Sequence, residues 1–161
     1  MVIKALAALN HTNLFCSVFN FFTNSGILFF IFKYGKSSPI TPVEANLLSI
    51  VDFSKSFTGR EATLARKLQG TALKLVYLSV DATETDCLGN EPVYDGEKLI
   101  GVTTGGAYGH TVSQSLAFAY VPPAYFVPGI NFEIPLLGSR CQATVLPEAV
   151  YDPQNERLRN G

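Results

Sequence analysis

Histidine and cysteine are scarce in this chain of 161 residues, with two of the first and three of the second. Cys16, Cys87 and Cys141 are odd in number, far apart and without a Cys-x-x-Cys pair, which argues against both a disulfide framework and a zinc cluster. They read as three free thiols in a reducing compartment, and Cys141, inside an expected strand, reads as a small core hydrophobe. Charge of neither sign prevails. Twelve Lys and Arg stand against thirteen Asp and Glu, and with no basic stripe among them neither nucleic acid nor an anionic membrane surface finds an electrostatic footprint.

The usual catalytic spacings are missing as well. His11 and His110 lie at opposite ends of the chain, and Ser113 and Ser115 lack the Gly-x-Ser-x-Gly setting of a nucleophile elbow. Gly105, Gly106 and Gly109 crowd a short stretch, but no dinucleotide fingerprint opens a helix there and no phosphate-loop Lys follows. That stretch reads as a wide turn at a barrel end, with His110 a solvated turn residue. Glu84, Asp86 and Glu91 read as a hydrated acidic loop, since no second set of carboxylates suggests metal or glycosidase chemistry. On residues alone there is no case for an enzyme.

What is present divides at about residue 38. Residues 14–32 hold seven phenylalanines and no charge, yet Ser17, Asn20, Thr23, Asn24, Ser25 and Gly26 split them into two pieces, each shorter than the roughly 20 residues a bilayer requires. Three readings of residues 1–38 stay open: an atypical leader foreign to the domain, as a truncated or mis-assembled reading frame would leave; a marginal membrane or targeting segment; or a buried pair of strands. Residues 39–161 form the expected domain. A Ser/Pro linker with Pro39 and Pro42 leads into it, and a Thr58/Glu61 capping box predicts a helix over residues 60–68 that Gly70 stops. Leu64, Ala65 and Leu68 share its apolar face, leaving Arg66 and Lys67 to solvent.

Strand grammar fills the rest. Residues 73–81 alternate, with apolar residues on both faces for part of their length, as in a strand covered on both sides. Asp95-Gly96 between apolar runs predicts a tight hairpin, residues 115–120 another strand, Pro128-Gly129 a turn, and residues 131–137 and 140–146 a second hairpin through Gly138-Ser139. The expected fold is mainly β: a small antiparallel β-barrel of about six strands preceded by one short helix.

The stretch GNEPVYDGEKLIGVTTGGAYGHTVSQSLAFAYVPP, together with TPVEANL, FTGREATL and ATVLPEAVYDPQNERLR in the same order, resembles the C-terminal domain of the glycine-cleavage aminomethyltransferases, the T-proteins. The resemblance is closest to the version fused to flavin-dependent dimethylglycine and sarcosine dehydrogenases. It implies tetrahydrofolate as cofactor, with FAD only in a full-length dehydrogenase parent, and one-carbon transfer from an N-methylated glycine or an aminomethyl-lipoyl carrier. It also implies that this chain is a fragment lacking the catalytic Asp, so that its partner is the missing N-terminal folate-binding half or a separate subunit, in the cytoplasm or, in a eukaryote, the mitochondrial matrix. By the same resemblance Lys55 stands near a folate-contacting Arg, Arg157 where the T-protein has a pocket Tyr, and Phe29 or Phe30 where relatives carry a folate-contacting Glu. Tyr108 and His110 complete the candidate folate-binding set; no residue is expected to be catalytic or to hold a metal. The alternative is a non-catalytic binding or structural barrel that docks on a separate partner.

Overall fold

Six strands close into one antiparallel barrel in the computed structural model, which describes residues 40–154 and 156–159. They are β1 (Lys74–Val80), β2 (Pro92–Asp95), β3 (Lys98–Gly109), β4 (Gln114–Val121), β5 (Asn131–Leu136) and β6 (Ser139–Val145). Their hydrogen-bonded order is β1-β4-β3-β2-β5-β6, and β6 returns to β1 through Leu78 opposite Val145 and Val80 opposite Ala143. Helix α1 (Arg60–Gln69) precedes the barrel and the four-residue α2 (Glu156–Arg159) follows it. The fold is thus mainly β, a six-stranded antiparallel barrel preceded by one short helix. The leader readings over residues 1–38, and with them His11, Cys16, Phe29 and Phe30, lie outside the described residues.

The interior follows the two-residue period of strands. Val76, Leu78 and Val80 of β1 meet Ala117, Ala119 and Val121 of β4, and Phe132, Ile134 and Leu136 of β5 fill the opposite wall. Leu75 is buried beside Val76, so β1 is covered on both faces as its sequence suggests. The outer cover comes from Val43 and Ala45, in a turn whose Glu44 carbonyl accepts the Leu75 N–H at 2.8 Å.

The glycine-rich stretch is not the expected turn. β3 runs through it to Gly109, pairing Gly106 with Ala117 and Tyr108 with Ser115 after a bulge between Thr103 and Gly105. The reason is close approach: a Cβ at Gly106 would lie 2.5 Å from the Leu116 carbonyl oxygen and 3.1 Å from the Cβ of Cys87, so only glycine lets the strand lie this tightly on its neighbours.

Both hairpins form, each turning one residue from where the sequence places it. Asp95 pairs with Lys98, so the turn is Gly96-Glu97, with Gly96 at φ 59°. Leu136 pairs with Ser139, so the other turn is Leu137-Gly138, both at positive φ, 46° and 85°. A primed turn matches the twist of the flanking strands but strains a branched residue. Leu137 is also 80% exposed and contributes little packing in return. Leu137→Asn is expected to stabilise the barrel by about 1 kcal/mol, read as a rise in the urea midpoint at unchanged slope.

The capping box expected of Thr58 and Glu61 does not form. Gly59 at φ 92° occupies the N-cap of α1, and no side chain caps the helix. The pattern is realised instead at Thr41-Pro42-Val43-Glu44, where the Thr41 N–H and hydroxyl both donate to the Glu44 carboxylate and the Val43 N–H donates to Thr41 Oγ1. At the other end Gly70, at φ 78°, stops α1 as expected.

Candidate functional site

A groove of about 460 Å³ lies where the chain enters α1, lined by Ser54, Lys55, Ser56, Phe57, Gly59 and Arg60, with Glu61 and Ala62 on the helix. Asp52 folds the loop behind it. Its carboxylate accepts the Ser54 hydroxyl at 2.6 Å and the Ser54 N–H at 2.9 Å, and pairs with Lys55 Nζ at 3.4 Å. These bonds, the Ser54 hydroxyl first, hold the Asp52 carboxyl below its ordinary range. Arg60 Nε donates to the Phe53 carbonyl at 2.9 Å, and the Phe53 and Phe57 rings lie 6.2 Å apart with Lys67 above Phe53. The groove thus combines two cations with the uncapped, positive end of a helix dipole, an arrangement suited to a carboxylate or phosphate.

The candidate folate residues lie on separate elements. Lys55 is in the groove. Tyr108 and His110 stand at the far end of β3, both exposed, ring edge to ring face at 5.1 Å. Arg157 is on α2, where it donates to the Tyr151 hydroxyl at 2.7 Å and lies over that ring at 5.4 Å. Asp152 caps this turn by accepting the Glu156 and Arg157 N–H groups. Arg60 is a groove residue that the sequence did not single out.

The acidic loop is bonded to the barrel rather than merely hydrated. Asp86 accepts the Tyr108 N–H at 2.9 Å and the Ser115 hydroxyl at 2.6 Å, which commits Ser115 to a structural bond. Glu91 accepts the Leu88 and Gly89 N–H groups and the Thr103 hydroxyl. Between them Cys87 is fully buried, and burial, then the charges of Glu91 and Asp86, push its thiol to about 12, so it is packing rather than a nucleophile. Cys141 packs against the core as a partly buried residue.

Arg66, expected in solvent, reaches back to the barrel. Its Nε lies 2.6 Å from Glu44 Oε1, and the Glu44 side chain is 1% exposed. Burial pushes that carboxyl up, but the bonds from Thr41 and Arg66 outweigh it and hold it below 4.5. Burial, then the Glu44 charge, raises the neighbouring Tyr120 phenol well above its ordinary range. The one signal in the sequence was the Thr-x-x-Glu spacing of Thr41 and Glu44.

Residues 74–152, the whole barrel, match the glycine cleavage T-protein C-terminal barrel domain. The barrel belongs to that family. Over 122 residues the chain is 37% identical to dimethylglycine dehydrogenase, mitochondrial, of Rattus norvegicus, covering 73% of this chain and 14% of that protein. A probable aminomethyltransferase of Thermococcus kodakarensis is 32% identical over 115 residues, 71% of this chain and 29% of its own length. The crystal structure of glycine cleavage system aminomethyltransferase T from Bartonella henselae superposes with a TM-score of 0.60 at 28% identity, over 67% of this chain and 31% of that one. The chain therefore spans a third or less of each of these relatives. Among the described residues no helix is long and apolar enough to cross a membrane, and no three His, Cys, Asp or Glu gather as for a metal ion.

Proposed function

We propose that residues 39–161 are the barrel part of a folate-dependent one-carbon transfer protein of the aminomethyltransferase or dimethylglycine/sarcosine dehydrogenase kind. In this reading the barrel does not catalyse alone. It contributes one wall of a tetrahydrofolate site whose other wall and acidic catalytic residue come from an N-terminal half, in the same protein or in a separate subunit. FAD belongs only to a dehydrogenase parent, and the setting is the cytoplasm or the mitochondrial matrix.

The observation that carries the reading is the groove at the start of α1, where Lys55 and Arg60 flank the helix N-terminus in a chain whose relatives are named as aminomethyltransferases and dimethylglycine dehydrogenases. Cations beside a helix N-terminus that no side chain caps suit the carboxylates of a folate tail. Titrating tetrahydrofolate calorimetrically into the full chain is expected to saturate at roughly millimolar concentration or below, and Lys55→Glu to weaken binding about tenfold through charge reversal. Saturation that Lys55→Glu leaves unchanged would remove the groove from the site.

One observation favours a second reading, a non-catalytic barrel that supports a partner. Lys55 pairs with Asp52, and Arg157 is engaged by Tyr151, so two of the four candidate residues already serve the fold. A folded chain that takes up no tetrahydrofolate would favour this reading.

A further inference from the structure

Helix α1 is attached to the protein in an unusual way. Among the described residues none of its side chains is buried, Leu64 is only half-buried, and Leu68 stands 87% exposed. A ten-residue helix is marginal by itself and is normally held by a buried apolar face, which α1 does not show among the described residues. Its polar ties divide into two groups. Arg60 and Lys67 hold it to Phe53, in the loop immediately before it. Arg66 holds it to Glu44, whose own backbone carbonyl is bonded to Leu75 of β1. After the helix comes Gly70 at φ 78°, with nothing within 4 Å of where a Cβ would stand.

We propose that residues 52–69 form a releasable arm joined to the barrel at both ends: separation of the Glu44–Arg66 pair lets α1 and its groove swing away as one unit between residue 52 and Gly70, while the barrel stays folded. The pair is suited to act as a pin. Glu44 is held on the barrel side by Thr41 and by its turn, so breaking the contact with Arg66 leaves its other bonds intact. Arg66 is one-third exposed and can rehydrate when it leaves. The arm carries Lys55 and Arg60, so the pin sets where the groove sits against the barrel, whatever the groove binds. This inference goes beyond the folate reading and stands or falls without it.

Hydrogen exchange followed by mass spectrometry on the full chain tests it. In the unsubstituted protein the amides of residues 61–69 are expected to exchange about 100-fold faster than those of β3 and β4, as a local unit opening below the global limit. Arg66→Met should speed α1 about another tenfold, with Arg66→Lys in between, and in each protein the exchange of residues 61–69 should depend on urea much less steeply than that of β3 and β4, as a local opening does. Equal protection of α1 and the strands in the unsubstituted protein would overturn the arm, and that comparison needs no variant to fold. A urea dependence of α1 exchange as steep as that of β3 and β4 in Arg66→Met would also overturn it, because the helix would then open only when the whole fold does.

Discussion

Gly101→Val is expected to abolish the stable barrel. Gly101 sits in β3 opposite Val93 of β2, and a Cβ built on it would run into the Tyr120 carbonyl oxygen and lie 2.9 Å from Val121 Cγ1. Backbone oxygen cannot rotate away as a side chain can, so β3 would have to part from β4. That separation breaks ladder bonds on one of the two longest strand pairs of the sheet, in which β4 matches β3 from Val102 to Gly109. Overpacking with backbone displacement costs about 3 kcal/mol or more, a large share of the roughly 5–15 kcal/mol by which domains are stable. Urea unfolding followed by tyrosine fluorescence and circular dichroism reads the outcome. A Gly101→Val protein with a midpoint near that of the unsubstituted chain would show that β3 and β4 do not lie this close. Gly96→Ala is the useful comparison, since a Cβ there meets nothing within 4 Å and only the positive φ is strained.

Acidification should remove the stabilisation supplied by Glu44 and Glu91, and Glu44→Gln should isolate the first share. Both carboxyls are held below 4.5: burial raises each, but hydrogen bonds to the charged form prevail, from Thr41 and Arg66 at Glu44 and from Thr103, Leu88 and Gly89 at Glu91. A folded-state value depressed in this way stabilises the fold above the unfolded-state value of about 4.3, and the contribution is lost as pH falls through the folded value. Hydrogen bonds to a charged group contribute about 1.5–3 kcal/mol each. Glu44→Gln, which keeps the shape and removes the charge facing Arg66, is therefore expected to cost about 2 kcal/mol at pH 7. The gap between the two proteins should stay constant down to about pH 5 and close as the acid limb is crossed. Thermal melts from pH 7 to pH 3 measure it. A gap that persists at pH 3 would mean that Glu44 acts through packing and not through its charge.

The strands and their order along the chain were legible because each depends on its own residues. Alternation in residues 73–81 and 131–146 and the Asp-Gly and Gly-Ser breaks carry their meaning locally and give the barrel, and the motif order from Thr41 to about Arg159 carries the family. The turns were misplaced by one residue because strand register is a property of two strands. Leu137 accepts a left-handed backbone only because Leu136 must face Ser139.

The remaining features were decided where distant segments meet. Nothing next to Gly106 in the sequence announces Cys87 and the Leu116 carbonyl, so a strand crowded on two sides looks like a loop until its neighbours are in place. Arg66 looks like a solvated helix charge until residue 44 is brought under it, and Thr58-x-x-Glu61 matches the capping pattern as well as Thr41-x-x-Glu44 does. By itself the sequence determined most of the strands and the kind of sheet they make, because periodicity and turn chemistry act within a few residues, and the order of its motifs carried the resemblance to the family. Only the tertiary structure decided which glycines are forced by close approach, which carboxylates are buried with partners and how α1 is held, because burial and pairing depend on segments far apart in the chain.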